Sequence, residues 1–511
     1  MPNLFASAVL LSWPLVALVL FYTMSRSAAI ISTVVAGYLL LPSKTEIDLP
    51  SLPPFNKETI PTFAVFGVCI LGLGSAARRA QRGRASRDET SPPRPGWLPS
   101  SPMATALIIA FVFGSFVTGA MNGDPVRWGD ALTIQGLSPY DAASMALEAF
   151  TQLIPLLIAR RYLHTPADHR LLLAIVVTAA LLYSPLVLAE VRLAPQFHQW
   201  VYGFHPSSWL QVIRFGGWRP LVFLNHGLAL AYFYALAVMA AAALCLCAKP
   251  ARKRLYMAAF GWLIVMLLFC RSVGPIVLTT IGVGALFFLP RRFKMLFALA
   301  CVVFLIGYPI LRGSGVLTTE MLMAPVDAYV PSRSGSFAVR VENEFMILER
   351  ASERPLFGWG SWGRWRIYDA LTGRDLTTSD GLWAITMGER GWVGFLGLFG
   401  LLSFPIVKAV RLVSESALGR ETIALAVISA VAILNLIPNP GLVPLTWLFV
   451  GSVLGRCEQI ASDRHGARRR KPRTPLRAAA VDDPGRLGGA TAFQPHSWSN
   501  TAAEPARTRT G

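Results

Sequence analysis

Apolar residues in this chain gather into continuous runs, separated by short polar stretches, and do not alternate one by one. A helix crosses a bilayer in about 20 residues, and the runs approach that length repeatedly. They predict about thirteen spans, at residues 4–22, 27–41, 60–77, 103–121, 142–159, 171–189, 221–247, 255–270, 273–289, 295–311, 392–410, 422–437 and 442–454. Strands of a membrane barrel show period-two segments of about ten residues, unlike the unbroken run 171–188. The expected fold is therefore an all-α integral membrane protein, a polytopic bundle of about 11–13 spans with one large external loop containing short helices. The first run contains Pro14, lacks a positive leader and is followed at once by a second run, so it reads as a span and not a signal peptide.

Two polar stretches interrupt the pattern. Residues 312–380 carry eight arginines, nine carboxylates and no lysine. Arginine alone points to forked donors aimed at carboxylate or phosphate, or at acidic partners within the loop. Here Phe337, Val341, Phe345 and Leu348 recur at helical spacing, Pro355 stops the helix, and Gly358 and Gly360 permit a turn. Arg340 is expected in the first turn of that helix, one turn before Glu344, with which it can pair. The other stretch, 192–220, holds His198, His205, Trp209, Arg214, Trp218 and Arg219. It reads either as an interfacial aromatic belt or as a sugar-contacting surface. The resulting division is a bundle of about ten spans over 1–311, a catalytic loop over 312–391, C-terminal spans over 392–455 and a disordered basic tail over 456–511.

Composition supports a membrane setting. The 511 residues are 54% hydrophobic and 15% charged, with a mean hydropathy of +0.50 and a formal charge of +19. The positive charge falls in alternate connections: Arg78 to Arg87, Arg160 and Arg161, Lys249 to Arg254, and Arg291 to Lys294. Such clusters mark cytoplasmic loops, which leaves 43–58, 122–141, 435–441 and both polar stretches on the external side. The charge thus needs no nucleic-acid partner, and the run Arg468 to Lys471 suits anionic lipid headgroups. Six cysteines lie mostly in apolar runs and read as buried thiols, Cys245 and Cys247 included. A phosphate-binding Gly-Lys-Ser/Thr loop and a His-Glu-x-x-His helix are both missing, and the one Asp-Asp pair is Asp482-Asp483 in the tail. An ATP-driven pump, a zincin and a metal-dependent nucleotide-sugar enzyme are therefore disfavoured, and no metal or cofactor is expected.

Arg271 lies in a short external turn, Phe269-Cys-Arg-Ser-Val-Gly-Pro275, at the mouth of the bundle. With Arg340 it suits a diphosphate leaving group, offsetting charge as a sugar–phosphate bond breaks. The set Arg271, Arg340, Pro355-Leu-Phe-Gly-Trp-Gly360 and Glu389-Arg-Gly-Trp-Val-Gly394 resembles the O-antigen ligase and polymerase superfamily over roughly residues 255–454. The resemblance implies metal-independent, inverting transfer of a glycan from undecaprenyl diphosphate at the periplasmic face of the inner membrane. It implies as partners a lipid-linked oligosaccharide, a polysaccharide acceptor, membrane lipids and a chain-length regulator. Arg271 and Arg340 would contact the diphosphate. Asp380 stands where family ligases have a histidine, and would act as base; it also reads as a helix N-cap, and Glu342 and Glu344 are alternative bases. Arg214, Arg219, His205, Glu344, Arg333 and Trp359 are the substrate-binding candidates. Glu190 with Arg192, Asn225 with His226, and Glu148 are weaker ones. The rival reading is a flippase for the same lipid-linked sugar, against which no duplicated halves are evident.

Overall fold

The computed structural model describes residues 2–48, 54–73, 95–329, 331, 334–378 and 380–470. Residues Met1–Arg464 form one compact unit and His465–Gly511 a second. Each apolar run predicted above overlaps a helix among the described residues, with 74–77 of the third run outside them. In order these are α1 Leu4–Thr23, α2 Arg26–Leu40, α3 Thr59–Ile70, α4 Pro102–Met121, α5 Pro139–Tyr162 and α6 Pro166–Leu193. The short α7, Phe197–Tyr202, precedes α8 Gly227–Cys247, α9 Pro250–Phe269, α10 Val273–Phe288 and α11 Arg291–Gly313. Then come α12 Thr319–Tyr329, α13 Ser334–Ser352, α14 Leu382–Arg411, α15 Arg420–Leu434 and α16 Pro444–Arg470. Among the described residues seven helices (α1, α4, α5, α6, α8, α11 and α14) are long and apolar enough to cross a membrane.

Two small antiparallel hairpins complete the fold, β1 Val126–Trp128 with β2 Leu132–Ile134, and β3 Ile213–Arg214 with β4 Gly217–Trp218. Ser138 and Thr165 start α5 and α6 with reciprocal capping boxes to Asp141 and Asp168, each preceded by a loop and followed by proline at the first turn.

Helix α8 is the axis of the unit. Its apolar window is 89% buried, against 28% for α1 and α4. It packs against α6, α9, α10 and α15. A helix that is apolar all round belongs in such a centre, and the alanines Ala240 to Ala243, all buried, let neighbouring backbones come close. The helix begins at Gly227, so Asn225 and His226 precede it and do not lie inside a span; His226 is its N-cap.

Two further boundaries differ from the sequence pattern. Residues 382–390, expected in the loop, are already helical and form the first part of α14, before a break at Gly391. Residues 456–464, expected in a disordered tail, lie in α16, where Cys457 and Glu458 are buried and Glu458 pairs with buried Arg160. Arg468 to Arg470 end that helix, and 471–511, Lys471 included, lie outside the described residues. Burial of a few side chains outweighed the polar composition that the pattern weighed.

Candidate functional site

The long connection between α11 and α14 is held by its own arginines. Arg312 donates to Leu317 O at 2.8 Å and Val341 O at 3.1 Å. Arg354 reaches Met121 O at 2.8 Å, Asn122 Oδ1 at 2.6 Å and Asp124 Oδ2 at 2.8 Å, and holds the Asp124 carboxyl below its usual range. Arg364, fully buried, donates to Trp359 O, Gln135 O and Asp124 O. Arg366 pairs with Asp375. Guanidinium forks are suited to saturating several carbonyls from one buried position. Most of the arginine signal in this loop is therefore spent internally, and no ligand is needed to explain it. Trp359 belongs to the same lattice. It is buried, with the Arg350 and Arg354 guanidiniums 3.4 Å and 4.2 Å from its ring centre, and donates its indole N–H to Arg350 O, so it offers almost no surface to a sugar.

The glycine motifs are a joint. At Gly391 (φ 58°, ψ −161°) the helix α14 breaks, freeing backbone groups on both sides. The returning loop bonds to them: Trp359 N–H to Gly388 O at 2.8 Å, Gly360 N–H to Glu389 O at 2.9 Å, Trp392 N–H to Pro355 O at 2.8 Å and Val393 N–H to Leu356 O at 3.0 Å. A Cβ on Gly391 would lie 2.5 Å from the Leu356 carbonyl, and one on Gly358 2.5 Å from the Glu389 carbonyl carbon. Both positions need glycine for the approach and for their positive φ.

Above this joint, α13 carries Arg340 in its second turn, because the helix starts at Ser334, earlier than the pattern predicted. Its buried face is Val341, Glu344, Ile347 and Ala351, while Phe345 faces outward. Arg340 does not pair with Glu344. Its Nε bonds Asp380 Oδ2 at 2.8 Å, with both side chains about a third exposed. Asp380 makes no capping bond, since Gly381 is the N-cap of α14. Asn343 Oδ1 accepts the Thr378 N–H at 2.6 Å and so fixes the segment that delivers Asp380. Glu344 instead accepts from Tyr308 Oη at 3.0 Å and lies 3.9 Å from Arg312 Nε. Burial raises its carboxyl to about 7, with Tyr308 and Arg312 opposing and Asp380 adding to the rise.

Residues from the first half of the chain close the site. Arg219, 4% exposed, donates to Ser272 Oγ at 2.7 Å, and its Nε is buried with no partner. No carboxylate among the described residues pairs with it. Burial pulls its pKa down, and the charge of Arg340 pulls in the same direction. Beside it, His226 accepts the Leu228 N–H through Nδ1, so the neutral ring carries its proton on Nε2. Burial, then Arg219, Arg340 and Lys44, depress that imidazole to about 4. Lys44 is exposed and follows Ser43, whose N–H donates to His198 Nε2 and whose Oγ accepts from Lys57 Nζ. Arg219, Arg340 (its charge offset by Asp380) and the exposed Lys44 thus all act on the neutral His226 ring, a cradle whose excess positive charge comes from Arg219 and Lys44.

Arg271 contributes differently from the expectation. It sits at φ 49° in its turn, and its Nη1 donates to Arg214 O and Phe215 O, both at 2.8 Å, clasping the β3–β4 hairpin. Arg214 supplies a carbonyl to that clasp, and His205 stacks on Trp209 at 4.1 Å while bonding Ser207 O. Neither is among the groups that act electrostatically on Arg219 or His226. Glu190 does not pair with Arg192; it accepts the N–H groups of Phe197, Leu221 and Val222 at 2.7–3.0 Å. Glu148 lies 3.7 Å from Arg390, Glu342 is exposed, and Arg333 lies outside the described residues. Lys44, Tyr308 and Ser272 carried no local signal. Arg219, His226, Arg340, Glu344 and Asp380 were visible as candidates in the sequence.

The fold and cradle define an all-α protein of the polytopic membrane class, with a cationic site where the α11–α14 connection meets the bundle. No protein-family model and no curated protein matches the chain.

Proposed function

We propose that the cradle binds the diphosphate of a polyprenyl-linked glycan, and that the protein transfers that glycan to an acceptor hydroxyl on the external face of the bacterial inner membrane. The observation that carries this reading is Arg219, a buried guanidinium with an unpartnered Nε, no carboxylate, and the like charge of Arg340 acting on it. Burying a cation without a counter-charge is costly unless a ligand supplies one. A diphosphate does so, and takes up the forked donors of Arg219 and Arg340. The same donors stabilise the leaving group as its charge grows, without a metal. Arg271 serves this reading as the clasp that holds the hairpin leading to Arg219. Polymerisation of repeat units is the preferred form of the transfer, following the family resemblance, and ligation to another acceptor is its close variant.

The test is the profile of lipid-linked and surface glycans in cells lacking the protein, complemented with wild type or Arg219→Ala. Accumulation of single lipid-linked repeat units, uncorrected by Arg219→Ala, supports polymerisation. Finished polymer stranded on the lipid supports ligation. Glycans held on the inner leaflet would point to a flippase, and an unchanged profile would refute the assignment.

A further inference from the structure

If the cradle holds the diphosphate as proposed, the reaction still needs a group to take the proton of the attacking hydroxyl. Asp380, the aligned candidate, is bound at 2.8 Å to the guanidinium of Arg340. Its Oδ2 holds a cation that the leaving group also needs, so protonating this carboxyl would loosen the group that positions Arg340. His226 is unsuited, because its free lone pair on Nδ1 already caps α8 and its Nε2 carries a hydrogen. Glu342 points to solvent. We propose that Glu344 is the proton acceptor, and that Asp380 is a positioning residue that orients Arg340.

Glu344 is one helical turn beyond Arg340, about 6 Å along α13, on the buried face that meets α11 and α14. The groups facing it are Tyr308 and Arg312 from α11, Trp383 from α14, Asp380 from the segment before α14, and Arg340 on its own helix. The Tyr308 hydroxyl donates at 3.0 Å, and the Trp383 indole also acts on the carboxyl as a neutral donor. Arg312 stands at 3.9 Å and has its two terminal nitrogens on the Leu317 and Val341 carbonyls. The carboxylate therefore lacks the bidentate partner that would quench its basicity, and its buried setting keeps it basic near neutral pH. The step balances as follows. The acceptor oxygen bonds the anomeric carbon while its O–H proton passes to a Glu344 oxygen. The anomeric C–O bond to phosphorus breaks, and its electron pair leaves with the lipid diphosphate held by Arg219 and Arg340. Glu344 ends as a neutral acid and releases the proton to solvent.

The test uses the full chain in bilayer nanodiscs, with lipid-linked glycan extracted from cells lacking the protein as substrate and undecaprenyl diphosphate as a binding probe. For wild type, kcat/KM should fall about tenfold per pH unit below pH ~7, where the base is protonated. Glu344→Gln should lower kcat by about 10²–10⁴-fold, abolish that acid limb in the residual rate, and bind undecaprenyl diphosphate within about twofold of wild type. Tyr308→Phe, which removes the donor to the carboxylate, should retain activity with the limb moved to higher pH. Asp380→Asn should weaken binding of the probe and keep the limb, moved to lower pH because Asp380's charge no longer raises the Glu344 carboxyl. Glu344→Gln turnover within about threefold of wild type, or a limb unchanged in it, overturns the assignment. Should Glu344→Gln fail to fold, an unmoved limb in Tyr308→Phe overturns it equally. A wild-type protein that binds the probe no better than Arg219→Ala and leaves the extracted glycan intact refutes the functional reading, and the base assignment with it.

Discussion

A buried guanidinium is judged by what its five donors touch. Arg364 and Arg219 are both nearly inaccessible, yet Arg364 spends its fork on three carbonyls while Arg219 leaves Nε unpartnered. Replacing Arg364 by Ala leaves buried acceptors unsatisfied and should cost about 3 kcal/mol or more, read as a lowered melting temperature in detergent. Arg219→Ala should instead leave melting within a few degrees and abolish binding of undecaprenyl diphosphate, while Arg219→Lys, lacking the fork, should bind at least about tenfold more weakly. Glu344 gives a pH dependence of the opposite kind to an ordinary salt-bridged acid. Its folded-state pKa is raised above the ordinary value to about 7, so the fold binds more protons than the unfolded chain between about 4.5 and 7. Stability from this group is full at acid pH and lost as pH rises through about 7. Glu344→Gln should remove that loss, visible as a smaller fall in melting temperature between pH 5 and pH 8.

At the scale of elements, the decisive feature is the break in α14 and the loop segment docked into it. Periodicity located α13, and Pro355 with Gly358 and Gly360 located the turn behind it, but sequence spacing carried no sign that this turn would bond across the Gly391 break. The buried stripe of α13 was also misread, since Phe345 is exposed and Glu344 is inside. Hydrophobicity alone ranks phenylalanine above glutamate; the Tyr308 hydroxyl and Arg312 on α11 reversed the order by offering the carboxylate partners. Gly391→Ala and Gly358→Ala should each destabilise the protein by about 2–4 kcal/mol from strain and backbone clash. Because the two residues form one joint, the double variant should cost less than the sum, measured in a double-mutant cycle of detergent melting.

For the whole molecule, the sidedness read from charge makes a direct prediction. Leu371, 91% exposed in the α11–α14 connection, should, as Leu371→Cys in a cysteine-free background, react in intact spheroplasts with a membrane-impermeant maleimide. Protection until the membrane is lysed would place the connection, and the cradle with it, on the cytoplasmic side. The sequence by itself determined the helical class, the position of the apolar segments, the long polar connection and the presence of Arg340 and Glu344 one turn apart, because each depends on periodicity or composition within a few tens of residues. Only the tertiary structure decided which charges are spent and which are free. Arg340 and Asp380 are 40 residues apart by number, and Arg219, His226 and Lys44 arrive from helices and loops of the first half of the chain. Whether an arginine meets a carbonyl, a carboxylate or an empty space is settled by which chain segments are packed beside it, and a pattern along one strand of sequence contains no record of that neighbour.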